Sequence, residues 1–116
     1  MKVAVIGSRS LSLDVSPYIP DGCTAIVSGG AKGIDTCAAE FAKARGLRLI
    51  ECLPNYEQFK KAAPLRRNDR IIELADLVLA FWDGRSHGTK YVIEKCAARK
   101  KPCKVFLVNG GTVTPQ

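Results

Sequence analysis

Residues 24–35 read TAIVSGGAKGID, an apolar strand-like run followed by a glycine-rich turn and the start of a helix. The same order of features occurs at residues 3–10, VAVIGSRS, and at residues 77–89, LVLAFWDGRSHGT. Junctions of this kind leave unpaired backbone N–H groups and a positive helix end at one edge of a parallel sheet, where they favour an anion such as phosphate. Three such junctions together predict a nucleotide-type ligand.

Strand-like apolar runs alternate with helical patterns along the rest of the chain. We predict strands at residues 2–6, 24–28, 47–53, 77–82 and 104–108, and helices at about 33–45, 64–75 and 88–100. Between the first two strands only a short helix is expected, because Pro17 and Pro20 interrupt residues 11–19. Residues 54–64 are expected to be irregular.

This alternation predicts an α/β fold, a three-layer Rossmann-like doubly wound parallel sheet of about five strands in the order 3-2-1-4-5. In that order the chain reverses direction between strands 1 and 4, and ligands bind at the carboxyl edge of this switch point. The three glycine-rich turns would then form one site. We expect one domain over residues 1–109 and a flexible tail over residues 110–116, which lack a core-forming pattern.

The composition is that of an ordinary soluble domain, with 116 residues of which 47% are hydrophobic and 25% charged. No apolar run approaches the roughly 20 residues that cross a bilayer, so we expect a cytoplasmic protein with no membrane partner. The five cysteines form no CxxC pair and have no histidine nearby, which argues against a disulfide framework and a zinc site. We expect neither a metal nor a cofactor.

A net charge of +7 is compatible with nucleic acid, a membrane surface or a phosphorylated small molecule as partner. Many of the cations, such as Lys43 and Lys100, end predicted helices, where they offset the helix dipole. One basic cluster differs, because it follows a strand and precedes a helix on the expected ligand side. It consists of Lys60, Lys61, Arg66, Arg67 and Arg70.

Single residues in the turns leave more than one interpretation open. Neither GxGxxG nor GxxxxGK[ST] occurs, which argues against a standard NAD-binding fold and a P-loop ATPase. Asp35 suits a ligand contact and a helix-capping acid equally well. His87, the only histidine, has no orienting partner and is expected to be exposed. Tyr56 and Phe59 can either stack on bases or anchor their loop.

Taken together, the motifs resemble the SLOG superfamily of Rossmann-like domains, in particular its small single-domain branch. The similar segments are GSR at 7–9, SGGAKGID at 28–35, RRND at 66–69 and AFWDGRSHGT at 80–89, in the same order. The resemblance spans about residues 3–108 and implies a doubly wound domain that binds nucleotides or nucleotide-derived ligands. The ligand-binding positions that it implies are Gly7, Ser8, Arg9, Ser28, Gly29, Gly30, Ala31, Gly33, Asp35, Arg67, Asn68, Asp83, Ser86, Gly88 and Thr89.

Better-known members of that superfamily are the DprA-type DNA-processing proteins and the Lonely Guy phosphoribohydrolases. The hydrolases resemble one another in a PGGxGTxxE motif whose glutamate takes part in catalysis, whereas the corresponding stretch here, GRSHGTKYV, ends in Val92. The nearest acid, Glu94, lies on another helix face. We therefore expect no catalytic residue, and a role as a sensor or accessory domain rather than an enzyme.

Two alternative functions and a possible homodimer remain open. A nucleotide-processing hydrolase needs an acid over the ligand, and only Asp35 and Asp83 are associated with the turns. Weak single-stranded nucleic-acid binding of the DprA-like type would use the basic segment 60–70, with Tyr56 and Phe59 as stacking groups. A homodimer through apolar helix faces is the further alternative.

Overall fold

The strands and helices follow the apolar pattern of the sequence closely. The computed structural model describes residues 1–116. It contains the strands β1 (Lys2–Gly7), β2 (Ala25–Ser28), β3 (Arg48–Glu51), β4 (Leu77–Trp82), β5 (Cys103–Asn109) and β6 (Thr112–Pro115). The helices are α1 (Ile34–Arg45), α2 (Tyr56–Phe59), α3 (Ala63–Leu74) and α4 (His87–Arg99), with 3₁₀ turns at Ser16–Tyr18 and Lys60–Ala62.

All strands belong to one sheet in the order β3-β2-β1-β4-β5-β6. The first five are mutually parallel, and β6 pairs antiparallel with β5. The predicted α/β class and the order 3-2-1-4-5 are therefore confirmed, with a sixth strand added at one edge. The carboxyl ends of β2, β1 and β4 lie side by side in this order, which brings the three turns that follow them to the same edge of the sheet.

Both faces of the central strands are covered, which explains why their sequences are continuously apolar. Val3 and Val5 on β1 point into the core layer that also contains Ile34 of α1. The intervening Ala4 and Ile6 point into the opposite layer, against α3 and α4. Alternate side chains of a strand point to opposite faces, so a single strand supplies both cores of the three-layer arrangement.

The end of the chain differs from the prediction. Residues 110–116, expected to be a flexible tail, contain β6, in which Val113 lies opposite Val108 of β5. Gly110, at φ 62°, makes the turn between the two strands, and Val113 packs against the core. Only one residue of the strand, Val113, is apolar and packs against the core, which is too little for a recognisable sequence pattern. The strand forms because the edge of β5 is otherwise unpaired and can accept a further strand.

The segment between β1 and β2 contains only the short 3₁₀ helix at Ser16–Tyr18, in agreement with the short helix expected between residues 11 and 19. Leu11, Leu13 and Val15 alternate instead of following a helical spacing, and all three pack against the core on the α1 side. Tyr18 contacts the ring of Phe81 edge-on, with 5.3 Å between centroids. An extended loop therefore covers the sheet where a helix would otherwise be needed.

Candidate ligand-binding site

A cleft of about 410 Å³ opens at the carboxyl edge of the sheet, between the turns that follow β1 and β4 and the start of α3. We call residues 7–10 the first turn, 28–33 the second turn and 83–89 the third turn. Most of the positions implied by the sequence line this cleft, namely Gly7, Ser8, Arg9, Ala31, Asp35, Arg67, Asn68, Asp83, Ser86, Gly88 and Thr89. The topology thus brings together residues that are far apart in the chain, such as Gly7 and Thr89, which are separated by 82 positions.

The remaining implied positions, Ser28, Gly29, Gly30 and Gly33, do not line the cleft but shape the second turn behind it. Gly33 has φ 75°, and a Cβ there would lie 2.6 Å from the carbonyl oxygen of Arg9. Only glycine allows the second turn to approach the first so closely. The Ser28 hydroxyl is buried and accepts the N–H of Gly30 at 3.4 Å.

Several residues of the cleft were not among the ligand-binding positions expected from the sequence, although Val92 had been compared with the hydrolase glutamate. Its floor and rim consist of the apolar side chains of Ile6, Pro64, Leu65, Ile71 and Val92, and Ser10 completes the polar wall. The apolar members belong to strand and helix patterns that predict burial but not exposure to a cleft. Which of these buried apolar side chains lies beneath the cleft depends on how the strands and helices pack in the folded protein.

Hydrogen bonds join the first turn to the third across the switch point. The Ser8 hydroxyl accepts the N–H of Asp83 at 3.1 Å, and the Ser10 hydroxyl donates to Asp83 Oδ2 at 3.2 Å. Asp83 Oδ1 accepts the N–H groups of Ser86 and Arg85, both at 2.8 Å. These bonds to the carboxylate hold the pKa of Asp83 below its ordinary value. Asp83 therefore holds the first and third turns in place.

The third turn opens α4 toward the cleft. Ser86 is the N-cap, and its hydroxyl accepts the N–H of Thr89 at 3.5 Å. Trp82 holds the cap from behind, because its indole Nε1 donates to the Ser86 carbonyl at 3.0 Å. A Cβ at Gly88 would meet nothing within 4 Å. A ligand can therefore approach the backbone at the positive end of α4, whereas the exposed His87 lies outside the cleft lining.

Arg67 of α3 ties that helix to the second turn. Its Nη1 donates to the Gly29 carbonyl at 2.6 Å, and its Nε donates to Asn68 Oδ1 at 2.9 Å. A guanidinium group has five N–H donors, so most of them remain for a ligand after these two bonds. The exposed Arg9 brings a second guanidinium to the cleft.

Asp35, in the first turn of α1, is the most buried acid of the site, with 7% of its surface exposed. Its Oδ2 accepts the N–H of Ala31 at 3.1 Å. Burial raises the pKa of Asp35 above its ordinary value, although the Ala31 N–H and the charges of Arg67 and Arg9 oppose this. The carboxyl group can accept a hydrogen bond when ionised and donate one when protonated.

We expect the substitution Asp35→Asn to change how stability depends on pH. Since the pKa is raised in the folded protein, the folded state holds this proton more tightly than the unfolded chain. The stability of the wild type should therefore fall as pH rises from about 3.8 through the folded-state pKa of Asp35. Asparagine does not titrate, so the free energy of unfolding of the variant minus that of the wild type should increase over this window.

Urea denaturation of both proteins at a series of pH values measures this difference. Asp21→Asn is the matched control, because Asp21 is an exposed acid at the opposite edge of the sheet. A difference that decreases with rising pH would mean that pairing with the arginines outweighs burial.

The formal charges of the cleft side chains nearly cancel, since Arg9 and Arg67 face Asp35 and Asp83. The carboxylate of Asp83 is already satisfied by backbone N–H groups. The groups of the cleft that suit an anion are therefore the two guanidinium groups and the backbone N–H groups at the start of α4. Nowhere do three or more His, Cys, Asp or Glu side chains gather in a way that could hold a metal ion.

Comparison with known proteins supports the fold. No protein-family model matches the chain, and a search of curated proteins found no match. Among solved structures, the chain is similar to the X-ray structure of DNA processing protein A (DprA) from Streptococcus pneumoniae, with a TM-score of 0.73 and 25% sequence identity. The match covers 95% of this chain and 50% of that one, so the chain spans half the length of the similar protein. No helix has both the length and the apolar character needed to cross a membrane.

Proposed function

We propose that this DprA-like Rossmann-like domain belongs to the SLOG superfamily and binds a nucleotide or nucleotide-derived phosphorylated ligand as a sensor or accessory domain. The observation that carries the proposal is the convergence of the three turns on one cleft that also contains Arg67 and the open start of α4. A cleft of this size, with a few polar groups over an apolar floor, is typical of small-molecule sites.

The phosphate would lie against the start of α4. Backbone N–H groups beside Gly88 would donate to it, and the free N–H groups of Arg67 and Arg9 would complete the contact, since a planar guanidinium can bind two phosphate oxygens. The apolar floor at Ile71 suits a sugar or base edge. The carboxylate of Asp35 would accept a hydrogen bond from a hydroxyl group of the ligand.

The hydrolase alternative depends on Asp35 alone. Val92, at the position of the catalytic glutamate of the phosphoribohydrolases, is 1% exposed and apolar, and the oxygens of Asp83 are taken up by the turns. One buried acid without a second group to orient water or substrate favours binding over catalysis.

Calorimetric titration with nucleoside 5′-phosphates, the matching nucleosides and inorganic phosphate tests the proposal. We expect the phosphorylated compounds to bind and the nucleosides to bind at least about tenfold more weakly, because the charge-assisted hydrogen bonds to phosphate are missing. Mass spectrometry of small molecules that co-purify with the protein would identify the ligand. Incubation would then show whether it is turned over.

The variant Gly88→Glu sharpens the test. A side chain at Gly88 has open space, and an acid in the first turn of a helix is favourable, so the fold should persist. The carboxylate would occupy and repel the phosphate site, and binding should be lost. Gly22→Glu is the matched control, because Gly22 also has open space but lies at the opposite edge of the sheet. Unchanged binding by Gly88→Glu would place the ligand elsewhere.

Single-stranded nucleic acid is the second candidate ligand. The similar structure is that of a DNA processing protein, and here Tyr56 and Phe59 expose 56% and 36% of their surface beside the basic segment 60–70. The segment has only five cations, so binding should be weak. Each contacted phosphate contributes a salt slope of about −0.7 on a single strand, which adds up to about −3.5 if all five cations take part. Binding should therefore weaken steeply with salt. Tight oligonucleotide binding at near-physiological salt, without mononucleotide binding, would favour this candidate over the first.

A further inference from the structure

A second cleft of about 390 Å³ adjoins the ligand site, between the segment that follows β3 and the outer side of α3. The proposed nucleotide site does not include it, although Phe59 and part of the basic segment 60–70, which line it, also serve the nucleic-acid alternative. Arg66, Arg67 and Arg70 line it on the α3 side, and Glu51 is its one acid. Its positive side therefore has more charge than the single carboxylate can balance.

The two clefts are adjacent, with Arg67 as the boundary between them. Arg67 lines both of them, and its bond to the Gly29 carbonyl sets the guanidinium group at the boundary. Leu53, which lines the second cleft, lies directly over the second turn, since a Cβ at Gly30 would be 2.6 Å from Leu53 Cδ2. A ligand that occupies both clefts would therefore have to pass over the guanidinium group of Arg67.

The second cleft also has an exposed apolar side. Leu53 is 68% exposed, and the ring of Phe59 is partly open, with the guanidinium of Arg66 at 5.9 Å from its centroid. Asn55 keeps this side in place, because its Oδ1 accepts the N–H of Gln58 at 3.1 Å and so caps α2. An aromatic ring beside several cations suits a base that stacks while its phosphate pairs with arginine.

We propose that the second cleft is a second nucleotide subsite, so that the ligand is a dinucleotide, with two bases joined through phosphate. This inference rests on the proposed function. One nucleotide lies over the floor of the first cleft, the linking phosphate contacts Arg67, and the second base stacks on Phe59 with Arg70 near its phosphate or sugar. The linkage can be a phosphodiester or a pyrophosphate, and both present the same chemistry to these residues.

Calorimetric titration with a 5′-mononucleotide, a 5′-phosphorylated phosphodiester dinucleotide and a pyrophosphate-linked dinucleotide separates these ligands. We expect at least one dinucleotide to bind about tenfold or more tightly than the mononucleotide, the effect of one additional stacked base. Phe59→Ala and Arg70→Ala should remove this gain and leave the mononucleotide affinity within about twofold. The dinucleotide that shows the loss identifies the linkage.

Arg66→Ala is a further test of the subsite, and Arg45→Ala is its matched control. The guanidinium of Arg45 lies 5.1 Å from the ring centroid of Phe41 on α1, the same arrangement as Arg66 on Phe59 but away from both clefts. Only Arg66→Ala should weaken dinucleotide binding. Thermal unfolding of Phe59→Ala, and the milder Phe59→Leu, would distinguish loss of the subsite from loss of the fold.

The outcomes for the two proposals differ. If mononucleotides bind and both dinucleotides bind no more tightly, or if the gain survives Phe59→Ala, the second subsite is wrong and the proposed function stands. If no nucleotide binds at all, both proposals are wrong.

Discussion

Replacing Gly33 with alanine is expected to destabilise the fold by about 2–6 kcal/mol. The residue has φ 75° and ψ −124°, a sparsely populated conformation that costs an L-residue about 1–3 kcal/mol. The new Cβ would also lie 2.6 Å from the Arg9 carbonyl oxygen and 2.7 Å from that of Ser8. These are backbone atoms that cannot rotate away, and relieving such an overlap costs typically about 1–3 kcal/mol.

The variant Gly46→Ala is a reference in which strain from a positive φ acts without a steric overlap. Gly46 has φ 66°, but a Cβ there meets nothing within 4 Å, so only the backbone strain remains. Urea denaturation should show a loss of about 1–2 kcal/mol for Gly46→Ala, clearly less than for Gly33→Ala. Equal losses would mean that the first and second turns separate easily and that their close approach is not required by the fold.

The second large effect is expected for ligand binding by Arg67→Ala. Losing one charge-assisted hydrogen bond costs roughly 1.5–3 kcal/mol, which is about ten- to a hundredfold in affinity. Lys100→Ala removes the same charge at the C-terminal cap of α4, outside the cleft lining, and should have little effect. Titration at fixed ionic strength measures both. Equal effects would mean that diffuse charge drives binding.

Arg67 also supports the protein itself, through its bond to Gly29, so stability must be measured beside affinity. Arg67→Lys keeps the charge but cannot donate in the planar two-point manner of a guanidinium group. We expect it to recover part of the stability and little of the affinity. Full recovery of affinity by lysine would argue for a simple charge contact.

The central strands could be predicted from the sequence because their side chains are buried on both faces. β4 occupies Leu77–Trp82 as predicted, and the end of α1 was marked by Gly46, whose left-handed conformation closes the helix. These elements are decided by local pattern. Alternation of strands and helices makes the strands parallel, so the common edge of the three turns was predictable as well, whereas the order 3-2-1-4-5 is one of the doubly wound orders that these rules allow.

What the sequence did not reveal depends on contacts between distant segments. β6 forms because Val113 pairs with Val108 and packs against the core, and no local sequence pattern predicts this strand. Ser10 looked like an ordinary turn residue, and its hydroxyl pairs with Asp83, which is 73 positions later. The structural use of Asp83 had a local signal, because an aspartate followed by a short turn commonly accepts the N–H groups two and three residues on.

The first and third turns are joined by hydrogen bonds among Ser8, Ser10 and Asp83, all of them made by the protein's own groups. Half of the site is therefore preorganised, and the entropy of ordering the first and third turns is lost during folding instead of during association. The proposed ligand would form its new backbone hydrogen bonds at the start of α4, beside Gly88. Amide hydrogen exchange should accordingly be slowed by the ligand most at His87 and Gly88, and least at Arg85 and Ser86, whose N–H groups are already bonded.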